Sequence, residues 1–425
     1  MDRRRRTLLV VFVVVFVDLL GFGILIPVIP LYARSFGATE FVGSLLIASY
    51  SAMQFLAAPV LGRLSDERGR RPVLLLSLVG SVLAWTTFGL AGALWQLFVA
   101  RLVAGAMGGN IAAAQAAIAD VTPPEDRAKG LGIVGAAFGL GFVFGPALGA
   151  LASSDAAIAV AGDYLPATVV GQYALPSLLA AGISLANLVL ALAVLPETRD
   201  PDVSARLEES RLEQFRAALS TPVLSALVVS FFLASFAFSA LESQFVFFTN
   251  DVFQYGTTLN GILLAYVGVV IAIVQGGLVG PLTNRFGEST LAIVGASIQA
   301  VTLFALPTTP WLASALEGVP LPVDAGLIAL AVVMTPLSFG NAITNVSLTA
   351  LVSRSASEDA QGGAFGLTQS AGSLARTFGP AVAGALYTGV AAWAPFVAAA
   401  ILFVPIAVAL ARTVGFETTG VDQAA

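Results

Sequence analysis

The 425-residue chain contains no cysteine and no histidine. Without cysteine there are no disulfides, no thiolate nucleophile and no thiolate metal site. Without histidine the commonest metal ligand is missing, as is the side chain that ordinarily titrates near neutral pH, so proton chemistry falls to carboxylates. No metal and no cofactor is therefore expected. Charge is scarce as well: Asp, Glu, Lys and Arg make up 11% of the chain, and lysine occurs once, at Lys129. Soluble domains carry about 25% charged residues. The formal net charge of −5 comes without a basic patch, which excludes nucleic acid as a partner. An enzyme would need a clustered catalytic set, and no such cluster is present.

What fills the chain is apolar: 57% hydrophobic residues and a mean hydropathy of +0.91. A membrane-crossing helix takes about 20 residues, so roughly 240 apolar residues supply about twelve. Barrel strands would alternate polar with apolar, whereas these runs are apolar on every side. The expected fold is an all-α integral membrane protein. Its twelve spans are predicted near 7–32, 41–63, 72–93, 95–119, 129–152, 173–196, 221–249, 256–281, 288–307, 324–352, 363–387 and 391–412. The first run is too long for a signal peptide and lacks a small-residue cleavage site, so it reads as an uncleaved helix.

Alternating the spans from a cytoplasmic N-terminus puts seventeen of the twenty basic residues inside. Only Arg34 falls in an outer loop, and Arg101 and Arg376 fall within helices. Basic loops stay cytoplasmic, so both termini are expected inside a plasma membrane. The one sizeable hydrophilic segment, 197–220, then joins two halves, 1–196 and 221–413, ahead of a tail at 414–425. Leu212, Phe215 and Leu219 within it sit at helical spacing, so it reads equally as an amphipathic surface helix or a solvated linker.

The halves repeat each other. Gly62, Leu64, Ser65, Asp66 and Gly69 align with Gly280, Leu282, Thr283, Asn284 and Gly287 at a constant offset of 218. Gly132, Phe144, Gly145 and Pro146 align with Gly366, Phe378, Gly379 and Pro380 at an offset of 234. Duplicated halves are an architecture of secondary transporters, with the site near mid-membrane.

With these motifs the chain resembles the major facilitator superfamily, and within it the twelve-span drug/proton antiporters of the tetracycline-efflux-like group. Gly62-x-Leu64-x-Asp66-x-x-Gly69-Arg70-Arg71 resembles the signature between helices two and three. Gly132, Gly141, Gly145, Pro146 and Gly149 resemble the helix-five antiporter signature, with Ala150 where a final glycine is usual. Arg101-x3-Gly105 resembles the helix-four signature, and Asp18 to Gly23 with Pro27 and Pro30 the first helix of the efflux group. Glu67 stands where a basic residue usually follows the signature Asp.

Charges inside a membrane are costly and imply function. Asp18, Arg101 and Arg376 are the candidate ion-coupling set: burial favours a neutral carboxylate and a nearby arginine a charged one, so a carboxylate moved between such settings carries a proton. The alternative is a static ion pair. Asp66 and Arg70 are candidate gate residues, in a loop that could cap a helix or pair with an arginine. Because the resemblance puts the cavity among helices one, four, seven and ten, it implies Asn110, Gln115, Gln244, Asn341 and Asn345, with Phe22 and Phe238 as apolar walls. The expected function is efflux of a hydrophobic or amphiphilic small molecule by alternating access, driven by H⁺ or Na⁺, by a monomer in the lipid bilayer. The alternatives are a sugar or metabolite carrier of the same fold and a non-transporting membrane sensor.

Overall fold

The computed structural model describes residues 3–122, 127–198, 222–320, 322–355 and 361–421, and every regular element among them is helical. The chain runs through α1 (Arg3–Leu25), α2 (Ile29–Ser35), α3 (Glu40–Arg68), α4 (Arg70–Gly89), α5 (Leu94–Gly108), α6 (Asn110–Val121), α7 (Arg127–Ala152), α8 (Asp155–Gly162) and α9 (Ala174–Val194). Then follow α10 (Pro222–Phe253), α11 (Thr257–Ile273), α12 (Val279–Phe286), α13 (Glu288–Ala305), α14 (Thr309–Ala315), α15 (Ala325–Ser355), α16 (Gln361–Gly389) and α17 (Ala394–Val421). Among the described residues, eleven helical stretches are long and apolar enough to cross a membrane. The twelfth, α16, has 29 residues and the length for it, with Gln369, Ser373, Arg376 and Thr377 making it more polar. The protein is thus an all-α, multi-pass membrane protein. Of the 197–220 segment only Glu197 and Thr198 are among the described residues, so its expected surface helix lies outside them.

Three predicted spans are interrupted. The first was expected to reach residue 32, but α1 ends at Leu25 and α2 restarts at Ile29. Pro27 has no N–H to give to Gly23, whose carbonyl instead takes the Ile26 N–H at 3.3 Å. The fourth span divides into α5 and α6 at Gly109, where a Cβ would stand 3.1 Å from Ala58 backbone atoms of α3. The eighth passes through a π turn at Val274–Leu278, which contains Gly276 and Gly277.

The chain forms two compact units: Met1–Ser204 with Thr249–Gly268, and Ala205–Phe248 with Val269–Ala425. In the first, α1 packs on α7 and α9, α4 on α5 and α9, and α3 on α5. Small residues make these contacts close: a Cβ on Gly105 of α5 would lie 2.3 Å from the Tyr50 carbonyl of α3. In the second, α13 packs on α15 and α17, and Gly295 meets Gly340 backbone to backbone. Large apolar side chains such as Leu56, Val60, Leu83, Leu151, Val301 and Ile401 are exposed. In a bilayer such residues face lipid tails.

Candidate proton and gate sites

Asp18 is half-buried on α1. Its carboxylate accepts hydrogen bonds from Ser81 Oγ of α4 at 3.0 Å and from Asn110 Nδ2 of α6 at 3.2 Å. Both donors are neutral, so these hydrogen bonds hold Asp18 by dipoles. Asn110, one of the expected cavity residues, is thus a carboxylate partner and is 6% exposed.

Arg101 is 1% exposed. Its guanidinium lies over the ring of Tyr50 at 4.5 Å and that of Phe22 at 5.6 Å, an arrangement that stabilises a desolvated cation. Phe22, expected as a cavity wall, also packs on Tyr50 with ring centroids 4.9 Å apart. Gln115 is half-buried on α6. In the second unit Gln244 is fully buried and donates to Ser243 Oγ at 3.1 Å. Asn341 points to Gln299 Oε1 at 3.5 Å, and Gln299 donates to Thr344 Oγ1 at 3.0 Å, so this trio ties α13 to α15. Phe238 and Arg376 are half-buried and Asn345 is exposed. Arg376 reaches Ser373 Oγ at 3.4 Å.

The candidate gate loop is built at the junction of α3 and α4. Gly69 has φ +100°, a conformation glycine adopts without strain, and it turns the chain between the helices. Gly62, one of the motif glycines, lies within α3, where a Cβ would meet nothing. Arg70 is the hub: its guanidinium donates to Asp66 Oδ1, to Ser65 Oγ at 2.7 Å and to Asp120 Oδ2 of α6 at 2.9 Å. Asp66 therefore pairs with an arginine and does not cap a helix. The cap comes from Glu197, just beyond α9, whose carboxylate accepts the backbone N–H groups of Arg70 at 2.8 Å and Arg71 at 3.1 Å. Arg71 returns the contact, donating to the carbonyls of Leu195 and Leu192, both at 2.9 Å. A carboxylate thus sits on the positive end of α4 and a guanidinium on the negative end of α9, each worth about 0.3–1 kcal/mol.

The helix-five motif forms two faces of α7. Gly141, Gly145 and Gly149 lie against Leu19, Gly23 and Ile24 of α1, where Cβ atoms would come within 3.1, 2.5 and 2.3 Å of them. Phe142, Pro146 and Ala150, one residue on, meet Gly268 and Gly261 of α11. The departure at Ala150 is accommodated there, since Gly261 supplies the missing space. Gly132 lies near the start of α7.

The single basic residue of the predicted outer loops is neutralised. Arg34 bridges Glu40 and Asp251, both at 2.6 Å, and donates to Asn250 Oδ1 at 2.7 Å. Burial disfavours its charge, but these partners more than reverse that and hold its pKa above the ordinary arginine value.

Residues 11–380 match the family model described as Major Facilitator Superfamily. The chain belongs to the Major Facilitator Superfamily. It is 32% identical over 395 residues to the class C tetracycline resistance protein of Escherichia coli, covering 91% of this chain and 90% of that one. The solved structure of the human organic anion transporter MFSD10 (TETRAN) matches 96% of this chain and 100% of its own, at TM-score 0.66 and 26% identity. A bacterial homologue of the human lysosomal transporter Spinster, in an inward-facing and occupied conformation, shares the fold at TM-score 0.74, with 15% identity and 96% of each chain covered.

Three polar residues of this facilitator escaped the sequence reading: Ser81, Asp120 and Glu197. Ser81 is one of many serines in apolar helices and carries no signal of its own. Asp120 had one, because the offset of 234 pairs it with Arg354 at a matching helix end. Glu197 follows Pro196 at the end of an apolar run, which reads as the first residue of a polar linker; only packing brings it to α4.

Proposed function

We propose that this facilitator is a proton-coupled exporter of tetracycline-like amphiphiles, working as a monomer in the plasma membrane with both termini cytoplasmic. The observation that carries the reading is Asp18, an acid within the first spanning helix that accepts from two neutral donors on two other helices. The relationship to a tetracycline resistance protein over nine-tenths of the chain points to the substrate class. Ser81 and Asn110 hold the carboxylate in place while it is charged. A proton arriving from outside converts it to the neutral acid, and release toward the cytoplasm restores the charge. The Asp66–Arg70–Asp120 relay, placed at the cytoplasmic end by the basic-loop argument, stabilises one of the two transport states.

The test is reconstitution. Proteoliposomes with an acidic lumen should accumulate tetracycline and lose their pH gradient together. A gradient that survives tetracycline and a panel of amphiphilic amines would sink the reading. Orientation has its own check: a cysteine replacing Ser154 should react with an impermeant reagent in whole cells, and one replacing Ser210 should not. One observation favours a second substrate class. The buried cation of Arg101 over Phe22 and Tyr50 suits an organic anion, the solute class of the transporter MFSD10. Competition between tetracycline and an aromatic carboxylate distinguishes the two.

A further inference from the structure

A polar seam runs through the first unit where α1, α4 and α9 meet. On α1, Val14, Asp18 and Gly21 fall on one face by their spacing. On α4, Ser77, Ser81 and Trp85 recur every fourth residue, and α9 contributes Ser184 and Asn187. All five polar residues from α4 and α9 are at most 4% exposed. Asn187 donates to the Val14 carbonyl at 2.9 Å and Ser81 to Asp18 at 3.0 Å. Yet Ser77 Oγ, Trp85 Nε1, Ser184 Oγ and Asn187 Oδ1 are buried without a hydrogen-bond partner among the described residues. Each such group costs about 1–3 kcal/mol if left unsatisfied. Four of them beside one membrane carboxylate need an explanation.

Gly21 locates part of it. The point where its Cβ would stand is 3.4 Å from both Ser184 Oγ and Trp85 Nε1, so two unsatisfied groups converge on the bare face of Gly21, one turn from Asp18. Water can occupy a buried gap when it finds two or more polar partners. Beyond Trp85 the seam closes, because a Cβ on Gly89 would lie 2.9 Å from that of Ser177. The charged residues of α4, α6 and α7 are confined to the helix ends and α9 has none; the fixed charge nearest in the fold is Arg101 of α5, whose guanidinium lies over the Phe22 ring, one turn from Asp18 on α1.

We propose that this seam binds ordered water and is the route by which a proton reaches Asp18. The route rests on the proton-coupled reading above; the water site does not. A hydronium at the Trp85–Ser184 level passes a proton to the Ser81 hydroxyl, which gives its own proton to the Asp18 carboxylate. One water and one neutral acid result, and no other reactant is needed.

Gly21→Ala is the decisive variant, since its methyl meets only contacts of 3.4 Å or more and alanine favours the helix. Ser184→Ala is the second, removing a hydroxyl that makes no bond to protein. The other three tryptophans, Trp95, Trp311 and Trp393, are all exposed and can be replaced by Phe, leaving Trp85 as the sole emitter. In that background Trp85 fluorescence should rise in D2O, and Gly21→Ala should blue-shift it and remove the isotope effect. Transport driven by a pH gradient should fall about a hundredfold in both variants, the low end for a lost proton-transfer group, with tetracycline counterflow unchanged. Emission indifferent to D2O and to Gly21→Ala overturns the water site. Altered emission with unaltered gradient-driven transport overturns the route. If the unsubstituted protein shows no gradient-driven transport, the proton-coupled reading and the route fall together, while the emission still decides the water site.

Discussion

The two repeated loops share a skeleton but carry opposite charges. Gly69 and Gly287 both have positive φ, +100° and +78°, and each is followed directly by a helix. Arg70 in the first loop corresponds to Glu288 in the second, and its partner Asp120 corresponds to Arg354. Both pairs close at 2.9 Å. A cation in the first position of a helix opposes the dipole, so α4 requires the Glu197 carboxylate. An anion there complements it, so Glu288 supplies for α13 what Glu197 supplies for α4. The first pair is mostly buried, with a second acid at Asp66. The second has Arg354 72% exposed and a neutral Asn284 in the Asp66 position. The turn depends on backbone conformation and is present in both loops, while the buried charge network is concentrated in the first.

The membrane carboxylate extends the contrast and carries the largest expected effect. Asp18→Asn preserves the hydrogen-bonding shape but cannot cycle a proton. It should abolish uptake driven by a pH gradient and still bind tetracycline, measured by uptake and by equilibrium binding to the purified protein. Concentrative uptake by the Asn variant would show that coupling resides elsewhere.

Next come the loops themselves. Asp66→Asn and Arg70→Ala should each lower maximal transport about fivefold or more, the population change that ~1 kcal/mol of lost bias produces, with half-saturation unchanged. A raised half-saturation at unchanged maximal rate would make these residues substrate contacts. Glycine substitution sharpens the comparison. Gly69 and Gly287 share extended ψ angles of 159° and 157° at positive φ, a region essentially reserved for glycine, so Gly69→Ala and Gly287→Ala both incur about 1–3 kcal/mol. At Gly69, however, the new Cβ would stand 2.5 Å from Glu197 Oε2, whereas at Gly287 it meets nothing. Thermal unfolding should therefore fall further for Gly69→Ala, and Glu197→Gln should narrow the difference. Equal shifts would mean that Glu197 does not cap α4.

The smallest effect belongs to the second pair. Arg354→Ala removes an exposed cation, worth about 0–1 kcal/mol, and should leave transport within about twofold. A loss as large as that of Arg70→Ala would break the asymmetry and make the second loop an equal partner in gating.

Much of this molecule was legible in the residues. Apolar runs of spanning length can satisfy their backbone in a bilayer only as helices, so the fold class follows from composition and length. Asp18, Asp66, Arg70 and the α7 glycines stood out because charge within or beside a span, and glycine repeated every four residues, are unusual without a purpose. Helix ends were less legible. Pro27 carried a signal for the break in the first span that the expected 7–32 helix passed over, and the split at Gly109 depends on Ala58 lying opposite it.

Partners were the part that only tertiary structure decided. Sequence placed a carboxylate near mid-membrane but could not choose between arginine and neutral donors, because Ser81 and Asn110 are 63 and 92 residues away. It likewise left Asp66 free to cap a helix or to pair, when packing delivers Glu197 as the cap, 127 residues from the N–H of Arg70. The physical reason is the same in both cases: period and hydropathy determine which face of a helix is buried, whereas a hydrogen bond depends on the rotation and depth of two helices packed together, and these are properties of the assembled unit.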